Sequence, residues 1–173
     1  GESLSWGALH CASVAAANHL HRLGLKTGSA VAICLENRFE FVAFVWGAQY
    51  AGYRYTPIST RLGPDEISYI VSDCEAEALV VSEQTRGEAV KNTAADMLPV
   101  LSVDELELLS APPQEPEYER AEGISMLYSS GTTGRPKGVF LPAPEAPIEE
   151  IPIGDVMMGK LCQLEPGSIY LST

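Results

Sequence analysis

From Leu9 onward, apolar residues return every three or four positions, at Leu9, Ala12, Ala16, Leu20 and Leu23. That spacing gathers them into one stripe of an α-helix. Ser5 can cap its start and Gly24 can supply a left-handed stop, so the pattern predicts a helix from Ser5 to about Leu23. The pattern changes at Ala30. Ala30 to Leu35 reads AVAICL, without the alternation of a half-exposed strand. An unbroken short apolar run predicts a strand buried on both faces. Asn37 is the candidate cap of a second helix that carries Phe39, Phe41, Phe44, Val45 and Trp46 and ends near Gly52. Tyr53 to Pro57 is short and extended. Pro64 suits the first turn of a third helix, with Asp65 and Glu66 at its positive end and Ile67, Tyr69, Ile70 and Val71 along it.

Ala78 to Val81 (ALVV) is a second buried strand, followed by a polar helical stretch from about Arg86 to Met97. Val100 to Val103 is extended, and Asp104 to Leu109 has room for one or two helical turns. Apolar strands alternating with amphipathic helices predict an α/β fold, a largely parallel sheet flanked by helices, with Ala30–Leu35 and Ala78–Val81 as interior neighbours. Ala111 to Glu119 (APPQEPEYE) holds three prolines and three glutamates and reads as an exposed connector. The chain divides into an α/β part over 1–110, the connector over 111–122, a strand–loop–strand over 123–141, and a loop, helix and strand over 142–173. In that last part the helix is expected over Gly154–Leu164.

Of the 173 residues, 46% are hydrophobic and 20% charged, enough to bury one sizeable core. The formal net charge is −12. An acidic surface repels phosphate backbones, so nucleic acid is excluded as a partner, and any nucleotide must be held by local geometry and a few placed cations. Cys11, Cys34, Cys74 and Cys162 have no C-x-x-C spacing and read as thiols of a reducing, cytoplasmic compartment. No apolar run reaches the ~18 residues of a membrane span. The chain opens without Met or a signal peptide, which suggests a cut start.

Ile124 to Leu127 leads into Tyr128-Ser129-Ser130-Gly131-Thr132-Thr133-Gly134-Arg135-Pro136-Lys137-Gly138, and Val139 to Leu141 resumes a strand. Glycines allow sharp turns and close approach of the backbone to a ligand. Successive N–H groups in such a turn form an anion site, hydroxyls add donors, and Lys137 adds a point charge. The loop differs from the Walker pattern, which places Ser or Thr after the Lys and opens a helix. The candidate phosphate ligands are therefore Ser129, Ser130, Thr132, Thr133 and Lys137, with Gly131 and Gly134 giving backbone access.

This string resembles the signature of the adenylate-forming superfamily: acyl- and aryl-CoA synthetases, luciferases and peptide-synthetase adenylation domains. Leu23–Ala32, Glu36–Phe41, Tyr55–Ile58 and Leu62–Ile67 resemble the family's upstream landmarks, in order. The resemblance implies an incomplete N-terminal domain of such an enzyme. It also implies a two-step reaction: a small-molecule carboxylic acid attacks ATP to give acyl-AMP and pyrophosphate, and coenzyme A then takes the acyl group. The loop would hold the β- and γ-phosphates with Mg²⁺, Lys137 being the catalytic cation, with no metal ligand assigned in this chain. A homo-oligomer is compatible with it.

After Gly138 many members continue with Thr-His-x-Asn, where this chain has Leu141-Pro142-Ala143-Pro144. That variant resembles bacterial acyl-CoA ligases of fatty or related lipophilic acids. The family's adenine, metal and ribose motifs and its C-terminal Lys lie beyond Thr173, so the 173 residues alone are expected to be inactive. Two alternatives stay open: an adenylating domain that loads a carrier-protein thiol, and a non-catalytic phosphate-binding or interaction module.

Overall fold

The computed structural model describes residues 3–90, 98–129, 136–140 and 160–163, with the backbone alone over 88–90. Helix α1 spans Trp6–Arg22, and Ser5 Oγ accepts the Ala8 N–H at 3.2 Å. Gly24, at φ +95°, takes the left-handed turn just past its end. Ala12, Ala16 and Leu20 are fully buried. Leu23, predicted on the same stripe, is exposed, because as the C-cap it lies beyond the last helical turn.

Five strands form one sheet: β1 (Ala30–Cys34), β2 (Arg54–Pro57), β3 (Ala78–Val81), β4 (Val100–Ser102) and β5 (Ile124–Ser125). Their order is β4-β3-β1-β2-β5 and every neighbouring pair is parallel. The two predicted interior strands are indeed adjacent, with Val31 beside Ala78 and Ile33 beside Val80. Both runs are unbroken because both faces are covered. Val31, Ile33, Ala78 and Val80 point into a core shared with Ala12, Ala16 and Leu20 of α1 and with Phe44 of α2 (Phe39–Tyr50). Ala32, Cys34, Leu79 and Val81 point the other way, onto Ile67, Ile70 and Val71 of α3 (Pro64–Asp73).

Three local readings need correction. The cap of α2 is Arg38, in an extended conformation and without a side-chain cap bond, not Asn37. That conformation lets the Arg38 guanidinium reach both Glu40 (2.8 Å) and Asp104 (2.9 Å). Helix α4 spans Glu83–Val90, starting ahead of Arg86. Ser82 and Thr85 set that start: each backbone N–H donates to the other's hydroxyl, at 3.0 and 3.2 Å. The connector has no helix or strand, but it is tied down rather than simply exposed. Asn18, buried on α1, donates to Gln114 Oε1 (3.3 Å) and Glu115 O (3.1 Å) and accepts from Glu117 N (2.8 Å). Arg22 pairs with Glu117, and Tyr118 is buried. A buried amide must find partners, and the connector supplies them through two backbone groups and the Gln114 side chain.

Val103–Glu105 and Leu108–Ser110 are single 3₁₀ turns. Of the helix expected over Gly154–Leu164, only residues 160–163 are described, Lys160 and Leu161 being helical. The terminal strand expected over 169–173 lies outside the described residues. Among the described residues no helix is long and apolar enough to cross a membrane.

Candidate active site

Beyond Ser125 the chain keeps the direction of β2, with the Met126 N–H donating to Tyr55 O at 2.8 Å. It then enters β6 (Leu127–Ser129), and β7 (Lys137–Val139) returns antiparallel to it. The apolar run 124–127 is thus split at Met126 between the sheet and a separate two-stranded hairpin. Two strands flank the signature loop, but they take in residues 128, 129, 137 and 138, which the sequence assigned to the loop itself, and residues 130–135 lie outside the described residues. β6 follows directly on the parallel pairing with β2, which ends at that Met126–Tyr55 hydrogen bond.

The register is Leu127 opposite Val139, Tyr128 opposite Gly138 and Ser129 opposite Lys137. Side chains directly opposite share a face, and faces alternate along each strand. Leu127, Ser129, Lys137 and Val139 therefore line one face, and all four are exposed. Ser129 and Lys137 stand side by side where the loop begins and ends. Lys137 makes no ion pair among the described residues, although acidic residues outnumber basic ones by 23 to 11. A hydroxyl beside an unpaired ammonium fits a phosphate oxygen. The other sequence candidates, Ser130, Gly131, Thr132, Thr133 and Gly134, lie outside the described residues.

The opposite face carries Tyr128, Gly138 and, just past β7, Phe140. The Tyr128 hydroxyl donates to Asp73 Oδ2 of α3 at 2.6 Å, and Tyr69 donates to Asp73 Oδ1 at 3.3 Å. Burial first, and then the Asp73 carboxylate, push the Tyr128 hydroxyl well above the usual tyrosine range. Gly138 lies directly opposite Tyr128. A Cβ there would press on Met126 Cε and sit 3.0 Å from Tyr128 Cζ, so this glycine leaves room for those two side chains. Sequence reasoning missed this contact because only the register puts residue 138 under residue 128.

Nearby, the loops after β1 and β2 enclose an open cleft of about 520 Å³ lined by Glu36, Asn37, Phe41, Pro57, Ser59 and Arg61 among others. Glu36 Oε1 accepts from Ser82 at 2.7 Å, while Oε2 is buried without a hydrogen-bond partner among the described residues. No trio of His, Cys, Asp and Glu among the described residues is placed to hold a metal ion.

The AMP-binding enzyme family matches residues 1–148. The chain belongs to that family. It is 30% identical, over 144 residues, to the 2-succinylbenzoate–CoA ligase of Bacillus cereus strain AH820. That match covers 81% of this chain and 28% of the ligase. Among solved structures it is similar to a fatty acyl CoA synthetase of Mycobacterium tuberculosis, with a TM-score of 0.66 and 28% identity over 79% of this chain and 28% of that one. It is equally similar, with a TM-score of 0.66 and 26% identity, to the o-succinylbenzoate CoA synthetase of Bacillus subtilis, over 80% of this chain and 28% of that one. The chain thus spans little more than a quarter of the length of these relatives. Its parallel sheet is that of the N-terminal part of adenylate-forming enzymes.

Proposed function

We propose that the full-length protein activates a carboxylic acid with ATP and Mg²⁺, through an acyl-adenylate, and passes the acyl group to coenzyme A. The observation that carries this reading is the pairing of Ser129 with Lys137, which has no ion-pair partner among the described residues, at the base of the signature loop in a chain of net charge −12. Membership in the AMP-binding enzyme family and similarity to acid–CoA ligases support it. Lys137 and Ser129, with Ser130, Gly131, Thr132, Thr133 and Gly134, hold the triphosphate end. Mg²⁺ supplies charge neutralisation there, with ligands drawn from the phosphates, water and residues outside this chain. The acid is a fatty or similarly lipophilic one, as the Pro-rich Leu141–Pro144 variant suggests. The enzyme acts in the cytoplasm.

The test is exchange of labelled pyrophosphate into ATP by the full-length protein, with a panel of fatty, aromatic and dicarboxylic acids. Fatty acids are expected to drive exchange best, and the 173 residues alone are expected to give none. Absence of acid-dependent exchange from the full-length protein refutes the reading. Preference for an aromatic acid refutes its substrate part alone.

A further inference from the structure

Three residues per strand are too few for a hairpin to hold its shape unaided. This one is fastened at two points, and both lie at the carboxyl end of α3. The first is Tyr128, whose hydroxyl meets Asp73. The second is Phe140, whose ring centroid lies 5.6 Å from Arg54 Cζ, while Arg54 Nη2 donates to the carbonyl of Cys74, the residue that caps α3. Gly138 completes the first fastening, since a methyl group there would meet Tyr128 Cζ at 3.0 Å and its hydroxyl oxygen at 3.1 Å. Because faces alternate, an inward Tyr128 obliges Ser129 and Lys137 to face outward together. A slip of one residue would turn the ammonium inward.

We propose that Asp73, Tyr128 and Gly138 form a clasp that fixes the pose of Ser129 and Lys137, making all three positioning residues for the use of ATP. The proposal rests on the reading of Lys137 as a ligand of the triphosphate. The clasp acts on the phosphate end of ATP and not on the thiol step, because pyrophosphate has left before the thiol attacks. A residue needed only for folding would affect both half-reactions alike.

The experiment uses the full-length protein and four variants: Tyr128→Phe, Asp73→Ala, Asp73→Asn and Gly138→Ala. Tyr128→Phe keeps the ring and removes the donor. Asp73→Asn keeps an acceptor, and Asp73→Ala removes it. Losing the hydrogen bond to Asp73 in Tyr128→Phe and Asp73→Ala, or crowding Tyr128 away from it in Gly138→Ala, should raise the KM for ATP and slow acyl-adenylate formation by roughly tenfold. Thioester formation from a supplied acyl-adenylate should stay near the wild-type rate, and Asp73→Asn should recover most of the loss. Backbone amide exchange over Leu127–Ser129 and Lys137–Val139 is the second readout. It should speed up in Tyr128→Phe and Asp73→Ala and stay slow in Asp73→Asn. Equal losses in both half-reactions, or unchanged amide exchange in Asp73→Ala, would overturn the clasp. If the wild-type protein gives no acid-dependent exchange of pyrophosphate, the functional reading fails separately, and with it the link to ATP. Amide exchange still decides whether the clasp holds the hairpin.

Discussion

Gly123→Ala is the sharpest test of how the hairpin is joined to the sheet. Gly123 sits where the chain leaves the connector and enters β5. Its N–H donates to Gln49 O at 2.8 Å, the next N–H, of Ile124, donates to Tyr53 O at 3.1 Å, and that of Met126 donates to Tyr55 O at 2.8 Å. A Cβ at this position would lie 2.6 Å from Ala48 O, 2.7 Å from Gln49 Cα and 2.7 Å from Tyr53 O. All three are backbone atoms, so no side chain can rotate out of the way. Either the end of α2 shifts, at an overpacking cost of about 1–3 kcal/mol, or β5 peels off. Peeling loses three hydrogen bonds worth about 1 kcal/mol each. The destabilisation is therefore about 1–3 kcal/mol, a sizeable share of the ~5–15 kcal/mol of a typical domain. Gly87→Ala is the internal control. It lies in α4 with nothing among the described residues within 4 Å of its would-be Cβ, so the gain in helix propensity is up to about 1 kcal/mol. Urea unfolding followed by circular dichroism should move the midpoint down by roughly 1–3 M for Gly123→Ala and slightly up for Gly87→Ala. A Gly123→Ala midpoint at or above that of wild type would refute the reasoning.

Other outcomes follow from the same structure. On the proposed function, Lys137→Ala in the full-length protein should slow acyl-adenylate formation far more than thioester formation from a preformed adenylate, as single-turnover assays of each half-reaction can show. Equal slowing would remove Lys137 from the triphosphate. Burial pushes the Tyr53 and Tyr118 hydroxyls up to about 12, from an ordinary value near 10. The folded state therefore holds these protons more tightly than the unfolded chain does. Their contribution to stability is complete below about pH 10 and is lost as pH rises through about 12, to be seen as alkaline unfolding with late tyrosinate absorbance. Burial, aided by Glu36, pushes the Cys34 thiol up to about 11, and burial also raises Cys74, whereas Cys162 is exposed. A thiol reagent at pH 8 should modify Cys162 promptly and should reach Cys34 and Cys74 only as fast as the protein unfolds.

The parts of the fold visible in the sequence were those set by local chemistry. AVAIC and ALVV had to be covered on both faces, and Pro64 with Glu66 marked a helix start; the Glu66 carboxylate does return to the Gly63 N–H at 3.2 Å. What escaped depended on residues far apart in sequence. Three prolines announced that 111–119 is neither helix nor strand, but not that Asn18 would need its backbone groups. The signature loop pointed to Ser129 and Lys137 as ligands through their residue types. Their neighbours Tyr128 and Gly138 look like part of the same motif, yet their partners are Asp73 and Met126, which only the register brings close.

The sheet also carries a history in its spacing along the chain. β1 meets β2 and β3 across roughly 24 and 47 residues, whereas β5 meets β2 across about 70, so its pairing closes the longest loop. It is also the shortest of the five strands, so it returns the least for that closure. The four strands β4-β3-β1-β2 pair across shorter spans and can assemble before β5 joins them. The segment that bears the signature loop then arrives at an edge already built to receive it.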